Sequence, residues 1–144
     1  MSERYQHTQR GTLMLVVFTM FAILSAFMAY SLPSPSRWIF LAAAVGLLVL
    51  AWLFSSLTVS VSDNEVEWRF GPGLFSFRMA RADIAGVSIV RNSLLNGFGI
   101  RMRPGFRLYN VSGFDAVELR LKSGDVRRIG TDDASGLAAV LRGE

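Results

Sequence analysis

The stretch GTLMLVVFTMFAILSAFMAYSLPSPSRWIFLAAAVGLLVLAWLFSSLTVSVS, Gly11 to Ser62, holds a single charged side chain, Arg37, in 52 residues. Gly11 to Ser31 is uncharged over 21 residues; at ~1.5 Å per residue a helix of that length covers the ~30 Å hydrocarbon core of a bilayer. Trp38 to Leu57 is uncharged for 20 more. Between them LPSPS carries Pro33 and Pro35, which remove backbone donors and disfavour helix in the residue before each. The pattern predicts a membrane α-helical hairpin with spans 11–31 and 38–57 and a turn at 32–37. Tyr30 and Trp38 stand where aromatic rings favour the headgroup boundary.

Arg4 and Arg10 also resemble the basic start of a cleaved signal peptide. The apolar core of such a signal runs to about 7–15 residues, and here a second span follows directly, which favours an anchor. Lipid supplies no hydrophobic drive between helices, so contact needs small residues. Ala22, Ser25, Ala26 and Ala29 on one span and Ala42, Ala43 and Gly46 on the other supply them, for pairing within the hairpin or between copies. Neither span contains an ionisable residue, which argues against an ion pathway or proton relay. Two spans put both flanks on one side. The two arginines of the tail against Arg37 in the turn predict an inner-membrane protein with its N-terminus and C-terminal domain cytoplasmic.

Hydrophobic residues make up 51% of the chain and the mean hydropathy is +0.38, but the excess is local: residues 58–144 hold 12 basic and 10 acidic groups. That mixed surface is no nucleic-acid footprint. Cysteine is absent, so disulfides and thiolate metal sites are excluded. Residues 1–10 read as a polar tail too short to fold. His7, the only histidine, is expected to be solvated there, and one imidazole does not build the usual zinc site.

Past Ser55 the pattern turns to alternation. Leu57, Val59 and Val61 alternate with Thr58, Ser60 and Ser62, and after Asp63-Asn64 the run EVEWRF continues the period of two, which predicts a hairpin of strands. Gly71-Pro72-Gly73 breaks the chain before LFSFRM, RADI is a short link, and Gly86 to Val90 forms a fourth strand in an antiparallel meander. Arg91, Arg101, Arg103 and Arg107 follow with no acidic residue between Asp83 and Asp115. They read either as a basic and aromatic face for anionic lipid or an acidic partner, or as a solvated strand face. Leu108 to Val111 is a further strand, and Val117 to Lys122 alternates cleanly. A two-residue loop at Ser123-Gly124 would put Ile129 on the wrong face unless Arg127-Arg128 is a bulge. Thr131-Asp132-Asp133 caps a last amphipathic helix at about 132–142, with Leu137, Val140 and Leu141 on its apolar face.

The segments G-F-G-I-R, Y-N-V-S-G, A-V-E-L and I-G-T-D-D, between Gly97 and Asp133, resemble those of small bacterial membrane proteins in which two spans precede a bacterial PH-like domain. The resemblance implies a mainly antiparallel β, PH-like domain over 58–144, of about seven strands plus one C-terminal helix. It implies neither an activity nor a set of binding residues. Eukaryotic phosphoinositide binders of that fold use a basic cluster between the first two strands; here that turn, Ser62-Asp63-Asn64-Glu65, is acidic.

No chemistry of catalysis is legible. The carboxylate pairs Asp115/Glu118 and Asp132/Asp133 fit a turn and a helix start better than acid–base work. Gly97-x-Gly99 precedes a strand, where phosphate-binding glycine motifs open a helix. No catalytic, cofactor or metal site is expected, and neither nucleic acid nor a small-molecule substrate is expected as a partner. Beyond the bilayer, the expected partner is a protein or a second copy. Three functions stay open: a membrane-tethered, non-enzymatic interaction module; an anionic-lipid sensor using Arg101, Arg103 and Arg107 within the Arg91–Arg107 segment; and an accessory subunit of a larger membrane complex.

Overall fold

The computed structural model describes residues 3–144. Two long apolar helices, α1 (Thr12–Ser31) and α2 (Ser36–Leu53), are inserted between two neighbouring strands, β1 (Glu3–Arg10) and β2 (Ser56–Ser62). These strands pair antiparallel, with His7 opposite Val59 and Arg10 opposite Ser56. The helical hairpin therefore occupies the place of a hairpin loop. β3 (Glu65–Phe70) and β4 (Phe75–Ala80) complete a four-stranded sheet in the order β1-β2-β3-β4.

A single 3-10 turn, Arg81–Asp83, leads into the second sheet: β5 (Ile84–Arg91), β6 (Gly99–Arg103), β7 (Phe106–Asn110), β8 (Asp115–Leu121) and β9 (Val126–Gly130). Its order is β5-β8-β9-β7-β6, with β7 and β9 parallel and the other pairs antiparallel. Helix α3 (Ala134–Arg142) closes the chain and touches β5 and β8 of this sheet and β1 of the other. The apolar residues of alternate positions meet in one core: Val59, Val61, Val66, Trp68 and Phe70 from the first sheet, Tyr109, Val117, Leu119 and Ile129 from the second, and Leu137 and Ala138 from α3.

Several expectations are corrected. Residues 3–10 are not a frayed tail: β1 is a full edge strand, because its polar residues find a ladder on β2. His7 is not free in solvent but pairs with Asp132 across 2.5 Å. Of the nine strands among the described residues eight, β2 to β9, fall in the domain where about seven were expected, and the expected four-strand meander ends at β4, since β5 belongs to the second sheet. The bulge at Arg127-Arg128 is absent. Arg120 faces Val126 and Val117 faces Ile129 without a shift, since the Leu121 N–H already donates to Asp125 O at 2.8 Å, and the odd residue sits in the turn beside Gly124 at φ +91.

The helices pack through fewer small residues than expected. Ala22, Ser25 and Ala29 of α1 are buried, against Ala44 and Ala51 of α2. The Ser25 hydroxyl donates to Phe40 O at 2.8 Å, fixing their register. Ala26, Ala42, Ala43 and Gly46 face outward instead, so the two-residue offset of α2's small positions puts them off the contact stripe. The predicted second span also ends early: α2 stops at Leu53 and only Phe54 and Ser55 precede β2.

That junction is tight. The Gly11 N–H donates to Ser55 O at 2.7 Å and Gly71 N–H to Ser56 O at 2.8 Å. A Cβ at Gly11 would overlap the Phe54 carbonyl oxygen, and one at Gly71, already at φ +44, would stand 2.6 Å from Leu53 O. Backbone cannot yield as a flexible side chain does, so Gly11→Ala and Gly71→Ala are each expected to cost about 1–3 kcal/mol. Gly46→Ala, with nothing within 4 Å of the added carbon, is expected to be neutral or slightly stabilising. Denaturant unfolding of the three variants in detergent checks the ranking.

Candidate functional site

The end of the β domain nearest the helices is built from three loops. The loop between β7 and β8 is held by Gln9, whose side-chain amide donates to Ser112 O at 2.9 Å. Gly99, at the start of β6, lies where an added Cβ would meet the Met14 methyl of α1 at 3.7 Å. Gly71 abuts the end of α2, as above. Large apolar side chains stand out of these same loops: Leu74 is 71% exposed, Leu94 74% and Leu95 90%. The helix-proximal end thus carries an apolar fringe around the helix pair.

The arginines expected to act together are divided. Arg101 and Arg103 of β6 oppose Leu108 and Phe106 of β7, whereas Arg107 opposes Met102. Directly opposed residues share a face of a sheet and neighbours in sequence do not. Arg101 and Arg103 therefore share the outer face, and Arg107 lies on the inner one with Tyr109. All three are exposed. Arg101 also packs back over its own loop: a Cβ at Gly97 would lie 2.9 Å from its Nε.

Arg128, expected from the sequence only as part of a bulge, is consumed by structure. It meets Glu118 at 2.5 Å and Asn92 Oδ1 at 3.0 Å, and its guanidinium carbon sits 5.2 Å from the centre of the Phe106 ring. Arg81 joins the sheets' far end to α3, donating to Ser62 O at 3.1 Å and Val140 O at 2.8 Å. The carboxylate pair Asp132/Asp133 serves the fold: Asp133 accepts from Gly136 N at 3.1 Å as the N-cap of α3, and from the Tyr5 hydroxyl at 2.8 Å. β1 is thereby stitched to α3. The period-two placing of Tyr5, His7 and Gln9 was the signal for this strand, weakened by its polar composition.

Burial, with the Asp133 carboxylate beside it, pushes the Tyr5 hydroxyl far above its ordinary range. Because the protonated hydroxyl is the bonded form, its contribution is present below the unfolded value of ~10 and lost as pH rises beyond it. Tyr5→Phe is expected to cost about 1 kcal/mol at pH 7, with the gap closing above pH ~10. Unfolding midpoints of both chains between pH 7 and 11 measure it.

No protein-family model matches this chain and no curated protein matches its sequence, so its own residues carry the functional reading.

Proposed function

We propose that the chain is a membrane-tethered, non-enzymatic interaction module that holds its β domain against the inner leaflet to engage a protein partner. The observation that carries this is the insertion of α1 and α2 into the β1–β2 ladder, with two residues between α2 and β2. A domain so joined has no linker freedom. Both helices are long and apolar enough to cross a bilayer, and side chains such as Ile23, Phe27, Ile39 and Val45 are more than half exposed. An apolar surface of that extent calls for an apolar medium. Pairing of β1 with β2 keeps the two flanks of the hairpin on one side, and the arginine bias selects the cytoplasmic one.

The partner-facing element in this reading is β6, an outer strand of its sheet with Arg101, Met102 and Arg103 exposed. A free edge accepts an added strand, and its arginines suit an acidic one. The PH-like identity belongs to the same proposal: the single C-terminal helix packed across both sheets supports it, while the strand order β5-β8-β9-β7-β6 departs from a meander. An accessory subunit of a larger complex is the same arrangement with a permanent partner. A photo-crosslinking residue in place of Met102, in intact membranes, is expected to give one discrete protein adduct that Ser88 on β5 does not. Adducts of equal yield from both positions, or none from Met102, contradict the reading.

Lipid sensing is the second reading, favoured by Leu94 and Leu95 standing out beside Arg91 and Arg101 at the helix-proximal end. Its readout is hydrogen exchange of the 92–98 loop in nanodiscs. Anionic lipid is expected to slow exchange there, and Arg101→Ser with Arg103→Ser to abolish that slowing. Exchange indifferent to lipid charge rules it out.

A further inference from the structure

A cleft of about 440 Å³ opens between the two sheets, a size usual for small-molecule sites. Its wall is aromatic, formed by Trp68, Phe77 and Tyr109, whose rings stack at 6.1 Å (Trp68–Phe77) and tilt together at 4.8 Å (Phe77–Tyr109). Its charged lining is three guanidiniums, Arg78, Arg107 and Arg127, against one carboxylate, Asp83.

The placing of two of these arginines brings like charges side by side. Arg107 and Arg127 are direct neighbours across the parallel β7–β9 pair, on the face that also carries Tyr109, Leu119 and Ile129 into the core. Like charges set opposite each other destabilise a sheet. Arg127, 15% exposed, pairs with Asp125 at 3.7 Å and donates to Val126 O at 3.5 Å, and Arg107 is exposed. Among the described residues neither Arg78 nor Arg107 has a carboxylate within ion-pair distance. Arg128, on the opposite face, is by contrast fully engaged. Trp68, 2% exposed, adds an indole N–H with no acceptor among the described residues.

We infer that this inter-sheet cleft is a binding site for a phosphate monoester with a small apolar or planar body. The guanidiniums of Arg107 and Arg127, with Arg78 at the rim, hold the oxyanion. Guanidinium forks match phosphate oxygens bidentately, and one dianion turns the Arg107–Arg127 repulsion into a shared attraction. The Phe77 ring, backed by the buried Trp68 and Tyr109, takes the apolar body. Asp83 in the lining disfavours a bulky polyanion and selects a compact ligand. The site is separate from the outer-face pair Arg101 and Arg103. Met102, opposite Arg107, lies three residues along β6 from the Gly99 contact with α1, ~10 Å at ~3.3 Å per residue. Both a soluble phosphomonoester and the headgroup of phosphatidic acid carry the required chemistry.

The test uses the full chain in phosphatidylcholine nanodiscs, titrated with phenyl phosphate and inorganic phosphate and followed by calorimetry and melting temperature. Phenyl phosphate is expected to bind saturably and more tightly than inorganic phosphate, and Arg107→Gln or Arg127→Gln to weaken it roughly ten- to a hundredfold. Arg101→Gln with Arg103→Gln is expected to leave it unchanged. In the absence of ligand Arg107→Gln should melt no lower than the parent chain, because it removes a repulsion; a merely structural arginine would lower it. Should Arg127→Gln fail to fold, Arg107→Gln and Arg78→Gln carry the comparison. Discs containing phosphatidic acid form the second arm: a melting shift there, competed by phenyl phosphate and lost in Arg107→Gln, assigns the ligand to the lipid. No saturable binding in either arm, or binding undiminished in Arg107→Gln, overturns the site.

Discussion

The hydrogen bond from the Gly11 N–H to Ser55 O closes the β1–β2 ladder at the point where both strands become helices. Everything else in the molecule is arranged around that closure. Seen from the sheet, residues 12–53 are an oversized hairpin loop; seen from the helices, the β domain is their cap. A flexible loop of such length would leave β1 free to detach, but two packed helices joined by a short turn hold the ends of their strands at a fixed spacing. β1 in turn is bonded to α3 through Tyr5 and Asp133 and through His7 and Asp132, so the helix pair, the first sheet and the C-terminal helix form one mechanical unit. Glycine at positions 11 and 71 is what lets the backbones approach that closely.

The sequence made some of this legible. Uncharged runs broken by Pro33 and Pro35 marked the helices, because apolar length is a property of consecutive residues. Alternation in 57–61, 65–70 and 117–121 marked strands for the same local reason, and Thr131-Asp132-Asp133 marked the start of α3 through its capping chemistry. What escaped was non-local. β1 finds its partner fifty residues away, and its polar edge position leaves little apolar alternation to read. The loop between β8 and β9 admits more than one turn type, so the register, and with it the face of Arg127, depended on one residue. The division of Arg101 and Arg103 from Arg107 has the same origin: a face is defined by pairing, and pairing of β7 with both β6 and β9 was not legible from spacing.

That division reshapes the functional reading. A single basic stripe would have been a surface for charge alone. Two arginines on the outer face of β6 and two on the inner faces of β7 and β9 make different chemical environments, one bordered by exposed leucines, the other lining a cleft backed by aromatic rings. The first suits a macromolecular surface, whether an acidic strand or a leaflet. The second suits a small anion. The two lie at the same level of the sheet on opposite faces, since Arg107 pairs with Met102 between Arg101 and Arg103, and a ligand in the cleft would tie together the two sheets on which the outer surface depends.

The helical hairpin replaces the loop of the β1–β2 pair. The chain has no cysteine of its own, and the hydroxyls of Thr8 and Thr58 touch across this pair at 2.9 Å. Thr8→Cys with Thr58→Cys, oxidised in intact membranes, measures it most directly. Rapid intramolecular disulfide formation is expected for this pair and little for Thr8→Cys with Ser62→Cys, which lies four residues out of register. Absence of the Thr8–Thr58 bridge, or modification of the two cysteines from opposite sides of the membrane, would contradict it.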